Sequence, residues 1–231
     1  MILREAAYRA FTDQLVTRAI PPGAFVSQRE LAQRTGFPLG AIREMIPRLE
    51  AEGLLEAIPQ RGLKVIAPDL RLVREAFALR SLIEREALAQ FCALATEEAI
   101  TDEAAALAAL MAESAAKVTP DLLARAQALD WGFHDRLVEA LDNRLIAETY
   151  RVNAIRIRVM MPERVTLSAR FLGAALAQHS AIVAALTRRD KEAALAALDR
   201  HIESARRRAL AIESSTSPEE GPGEAAPSPE R

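Results

Sequence analysis

Asp130-Trp131-Gly132-Phe133-His134 sits in the middle of a run that reads as one long helix. Thr119-Pro120-Asp121 starts it, with Thr as the cap and Pro at the first helical position. Leu122, Leu123, Ala126, Leu129, Phe133 and Leu137 then form a broad apolar stripe. Asp130 and His134 are four apart, so they share a face about one turn from each other and can reach one metal ion. The chain has three histidines, and the other two, His179 and His201, also lie in helical patterns. Working outward, breaks at Asp142-Asn143, Met161-Pro162 and Arg188-Arg189-Asp190 divide the region into six helices. They are expected at about 69–95, 97–117, 119–141, 143–160, 166–187 and 190–213. Wide stripes such as Ile182, Val183 and Leu186 call for an antiparallel bundle, which can point three histidine-bearing helices at one interior spot. Three imidazoles and a carboxylate suit a divalent transition metal: zinc first, with nickel, manganese or iron as alternatives.

Composition agrees. The 231 residues are half hydrophobic with only nine glycines, which favours helices and leaves room for two cores. Cys92 is the one cysteine, excluding an intrachain disulfide and a cysteine-rich zinc finger. The N-terminus, Met1-Ile2-Leu3-Arg4-Glu5, lacks a signal-peptide core, and no stretch approaches the ~18 apolar residues of a membrane span. A cytoplasmic protein without membrane contact is expected. Net charge is −2, so the whole chain is not basic. Residues 1–67 carry nine Lys/Arg against seven Asp/Glu, a small local excess.

That first segment reads as a separate module. A helix of about residues 2–19 ends at Pro21-Pro22-Gly23. Ser27-Gln28-Arg29-Glu30 has the capping-box form and opens a short helix to about Arg34. Thr35-Gly36 makes a turn, and a second helix runs from Pro38 through Ile42, Met45, Ile46 and Leu49 to Gly53. Two short helices about a glycine turn make a helix-turn-helix. Apolar Leu54–Ile58, the turn Pro59-Gln60-Arg61-Gly62 and Leu63–Ile66 then form a two-stranded wing. Its tip carries Arg61, Gly62 and Lys64, suited to close approach to a phosphate backbone.

With those residues in view, Ser27–Ala32, Gly36, Ile42-Arg43-Glu44, Arg48-Leu49-Glu50-Ala51-Glu52-Gly53-Leu54 and Arg61-Gly62 resemble the winged helix of GntR-type transcription regulators. The resemblance implies DNA contacts from Arg29 and Arg43 near the recognition helix and from Arg61 and Gly62 on the wing. There are two departures. Pro38-Leu39-Gly40-Ala41 stands where the family usually has a Ser/Thr-Arg pair, so an expected contact is absent. Pro47 lies inside the recognition helix, where it removes a hydrogen bond and is expected to kink it.

Behind the head, Asp130-x-x-Phe133-His134, Asn143, His179 with Ala185-Leu186 and Asp190, then His201, resemble the FCD effector domain of the FadR-like branch. That resemblance implies Asp130, His134, His179 and His201 as metal ligands. Arg80, in Arg80-Ser81-Leu82-Ile83-Glu84, resembles the Arg-x-x-x-Glu signature of the domain's first helix. It is the first candidate to clamp a carboxylate effector; Arg156 and Arg158 are secondary ones. The expected organisation is therefore mainly α: a winged helix-turn-helix over 1–67, a helical metal- and ligand-binding domain over 69–213, and a proline- and glutamate-rich disordered tail over 214–231. Expected partners are a second copy of the chain, operator DNA with two-fold symmetry and a small organic acid. Two other readings stand beside this one. One is a helical metalloenzyme with an accessory winged helix and Glu84 as a base; the other is an interaction protein whose head has lost its DNA specificity.

Overall fold

The computed structural model describes residues 3–67, 69–161 and 169–216. It is mainly helical with one small antiparallel sheet. The head contains α1 (Leu3–Val16), β1 (Phe25–Val26), α2 (Gln28–Thr35), α3 (Leu39–Ala51), β2 (Leu55–Ile58) and β3 (Gly62–Val65). The body follows with α4 (Leu70–Leu94), α5 (Glu97–Ala116), α6 (Pro120–Glu139), α7 (Arg144–Met160), α8 (Ala169–Thr187) and α9 (Lys191–Thr216).

Local chemistry sets most boundaries in the head. The Ser27 hydroxyl accepts the Glu30 N–H at 3.1 Å and caps α2. Only half of the expected capping box forms, because the Glu30 carboxylate turns to Arg34 instead. Gly36 ends the helix at φ 74°, donating its N–H to the Ala32 carbonyl. Helix α3 runs through Pro47 as one element. α1 stops at Val16, earlier than its apolar spacing suggests.

The wing has a third strand. β1 pairs with β3 (Phe25 opposite Lys64, Val26 opposite Leu63), giving the order β1-β3-β2. This close pairing explains Gly62. Its φ is +97°, and a Cβ there would meet the Val26 carbonyl oxygen at 3.0 Å.

In the body, Asp69, Thr96, Thr119 and Asn143 cap α4, α5, α6 and α7 with their side chains. α9 extends through Ser214–Thr216, three residues expected to belong to the tail; residues 217–231 lie outside the described residues. So do 162–168, where the start of α8 was expected. The main body core is built around Phe77, Leu88, Phe133, Leu137, Ile182 and Leu198. A smaller cluster, including Leu107, Leu122 and Leu176, joins α5, α6 and α8. Among the described residues no helix is long and apolar enough to cross a membrane.

Helix α7 belongs to both halves. Its Ala154, Ile157 and Met160 pack in the body core, whereas Ile155 and Val159 complete the head core of Phe11, Leu15, Ile42, Met45 and Leu49. Polar bonds reinforce the joint. Arg151 donates to the Tyr8 hydroxyl at 2.7 Å and to Glu52 at 3.0 Å. Arg156 donates to the Glu52 carbonyl at 2.5 Å, and Arg18 to the Val159 carbonyl at 2.9 Å. The Tyr8 hydroxyl in turn donates to Glu52, and burial with that contact pushes its pKa up to about 12. Arg151→Ala should lower stability by about 1 kcal/mol, because two charge-assisted bonds across the joint are lost from a partly exposed site. The check is the urea midpoint at unchanged slope. Arg71→Ala, which breaks the solvent-exposed pair with Glu75, should leave the midpoint where it was.

Candidate functional site

Three body helices bring a buried polar cluster together. α6 supplies Asp130 and His134 one turn apart, α8 supplies His179, α9 supplies His201, and all three imidazoles are buried. The Nε2 atoms of His134 and His201 face each other at 3.1 Å. His201 Nε2 lies 3.5 Å from Asp130 Oδ1. One ligand atom each from Asp130, His134 and His201 falls within a 4.8 Å span, the arrangement a single ion needs. His179 adjoins this group without being part of it. Its Nδ1 is 3.2 Å from Asp130 Oδ1, and its ring meets Phe133 edge-on at 4.5 Å. The equal four-ligand set expected from the sequence is thus arranged here as three converging donors with a histidine behind the carboxylate.

The electrostatics favour a cation. Burial depresses the pKa of His134, and that of His201 down to about 3, so both rings are neutral near pH 7. Burial opposes the Asp130 charge, but the His179 contact and the neighbouring histidines outweigh it and hold the carboxyl well below its ordinary value. His134 Nδ1, His179 Nε2 and His201 Nδ1 are buried without a hydrogen-bond partner among the described residues. Two neutral imidazoles with facing nitrogens, an ionised carboxylate and orphaned ring nitrogens fit a borderline divalent metal by the chemistry of the donors.

A layer behind these donors comes from α4 and α7. Glu84 is fully buried, and its Oε1 accepts Arg80 Nε and the Tyr150 hydroxyl, both at 2.7 Å. Its Oε2 lies 2.7 Å from His134 Nδ1. A carboxylate this close favours the proton on Nδ1, which would leave Nε2 as the lone-pair side facing the site. Burial would raise the Glu84 pKa, but Arg80 and His134 bring it down to about 2. The sequence singled out Glu84 as a candidate base and missed this orienting position; Tyr150 went unnoticed.

A cavity opens beside the donors, lined among others by Arg80, Asp130, Trp131, Arg158, His201 and Arg208. Arg80 reaches it with its guanidinium tied at Nε to Glu84. Arg158 lies over the Trp131 ring at 4.7 Å and donates to Asp135 at 2.7 Å. Arg156 does not line it. Residues two apart on a helix point to nearly opposite sides, so Arg156 faces the head while Arg158 faces the cavity. Arg156, an effector candidate by sequence, donates to the Glu52 carbonyl in the head.

On the head, Arg29 of α2, Arg43 of α3, and Arg61 and Lys64 of the wing are all exposed. Arg43 Nε donates to Gln28 at 3.2 Å. Arg61 lies over the ring of Phe25 at 4.4 Å, so the short strand β1 props the wing-tip cation. The sequence reading missed Phe25, since its pairing is long-range.

Residues 75–204 match the FCD domain, and residues 3–65 match the bacterial regulatory proteins of the gntR family. The HTH-type transcriptional repressor RspR of Escherichia coli (strain K12) is 26% identical over 204 residues, 87% of this chain and 86% of its own. Among solved structures, E. coli McbR/YncC has a TM-score of 0.77 at 18% identity, covering 93% of this chain and 98% of its own. A putative GntR regulator from Rhodococcus sp. RHA1 has a TM-score of 0.72 at 20% identity, covering 90% and 97%. The metal-free FCD domain of TM0439 reaches 0.52 at 18% identity, over 64% of this chain and 99% of that one. At these identities the structural likeness is one of fold.

The buried pair predicts an asymmetric response to mutation. Glu84→Leu strands the Arg80 cation and should cost about 3–5 kcal/mol in chemical denaturation of the metal-free protein. Arg80→Met with Glu84→Leu should recover most of that loss, since neither charge then remains unpaired.

Proposed function

The chain belongs to the GntR family of DNA-binding transcription regulators, with an FCD domain behind the head, and we propose that a small organic acid, bound beside a divalent metal, sets its operator affinity. The observation that carries this reading is the buried convergence of Asp130, His134 and His201 on a cavity that Arg80 also lines. When bound, a zinc, nickel, manganese or iron ion would hold a carboxylate oxygen in a position the protein leaves open. Asp130, His134 and His201 are the proposed ligands, with His179 as a fourth donor or as the group that holds Asp130. Arg80 supplies the second anchor, its planar fork suited to a carboxylate.

Two copies associate through their helical domains and present two winged heads to an operator of two-fold symmetry. Arg29, Arg43, Arg61, Gly62 and Lys64 form the DNA-facing set. The acid changes DNA affinity only by binding one arrangement of the heads better than another. A hydrolytic metalloenzyme is disfavoured by Glu84, whose two oxygens are committed to Arg80, Tyr150 and His134 and whose low pKa makes it a poor base.

Two measurements test the reading. His134→Ala with His201→Ala should leave a folded protein that no longer retains metal by elemental analysis; metal content equal to the parent's would sink the site. Arg61→Ala should weaken binding across operator sequences and reduce the salt slope by about one, the loss of a phosphate contact. An unchanged affinity and slope would count against the wing contact.

A further inference from the structure

Three arginines line the cavity beside the candidate metal ligands, and they are not equivalent. Arg80 is neutralised by Glu84, and Arg158 by Asp135. Arg208 of α9 has no ion pair among the described residues. Its NH1 donates to the Ser204 hydroxyl at 2.7 Å, while its Nε is buried with no hydrogen-bond partner. Burial works against this cation and lowers its pKa below the ordinary value; the Asp130 charge counters that in part, and the Arg80 charge adds to it. A guanidinium left partly desolvated without an acid is an expensive arrangement unless an anion completes it.

Charge balance says what kind of anion. With a divalent ion in place, Asp130 offsets one of its two charges. The Arg80–Glu84 and Arg158–Asp135 pairs cancel, and Arg208 adds one. The cavity then carries about two uncompensated positive charges. One carboxylate at the ion and Arg80 removes only one of them. From this we infer that the effector is a small diacid: one carboxylate sits at the metal beside Arg80, and the other is received by Arg208. The inference rests on the organic-acid reading above and narrows it to a class.

The cavity core measures about 20 Å³, the room of a single water, and a second of about 20 Å³ shares Arg80, Trp131, Ile157 and Arg158 as walls. A diacid is larger than either space, so its entry requires the shared walls, the stacked Trp131 and Arg158 among them, to move. Trp131 is the chain's one tryptophan, so its emission reports that movement without interference.

Calorimetry and Trp131 fluorescence on the full-length, zinc-loaded protein test the inference with matched probes: succinate against butyrate, malate against 3-hydroxybutyrate, glutarate against valerate. At least one diacid should bind roughly tenfold or more tighter than its monoacid partner, as a charge-assisted second anchor provides. Arg208→Gln should erase that advantage while leaving zinc content and monoacid affinity unchanged, and Arg208→Lys should restore part of it. Circular dichroism on both variants verifies the fold. Equal affinities within every pair, or a diacid preference that survives in Arg208→Gln, overturn the diacid inference and leave the organic-acid reading intact. No binding by any of the six acids overturns both.

Discussion

The buried ion pair between Arg80 and Glu84 is the constraint around which the body is arranged. Two charges taken out of water can be tolerated only when their remaining hydrogen-bonding capacity is met. Here Glu84 Oε1 accepts from Arg80, one turn away on α4, and from Tyr150 of α7, while Oε2 lies in close ionic contact with His134 of α6. Satisfying one carboxylate therefore fixes the rotation of three helices relative to each other. It also fixes which nitrogen of His134 faces the cavity. Stability and ligand geometry are consequences of the same contact, and neither can be altered there without the other.

What the sequence made legible was what is local. Ser27, Thr119-Pro120 and Asn143 act through backbone groups two or three residues away, and the helix starts they set lie within a residue or two of their expected places. The Asp130–His134 spacing was readable for the same reason: one turn of helix brings the two side chains to one side. What was not legible depends on long-range pairing. The two-residue strand β1 exists only because β3, nearly forty residues later, offers it an edge. Glu84 as an orienting group depends on partners 50 and 66 residues ahead of it in the chain, and no spacing rule reaches that far.

The assignment of arginines shows the same limit from another side. Arg156 and Arg158 are near neighbours in a basic, helical stretch, and composition treats them alike. Helical phase separates them: one holds the Glu52 carbonyl in the head, the other forms a wall of the ligand cavity. Arg208 drew no notice because a cation in the last helix, beside Arg206 and Arg207, reads as one more solvated charge. Its distinction is partial burial with no ion pair among the described residues, which only packing reveals.

Helix α7 gives the molecule a property that its two-part layout conceals. By chain order the head ends before Asp69, yet Ile155 and Val159 finish the head's core, and Tyr8 and Glu52 take their bonds from Arg151. The head is therefore not an interchangeable cartridge. A chimaera that joined residues 1–67 to an unrelated body would leave a hole in its core and remove the Arg151 cation that bonds Tyr8 and Glu52. Recombination that shuffles such heads among bodies must carry, along with the sequence that reads DNA, a matching stripe on a helix some ninety residues downstream.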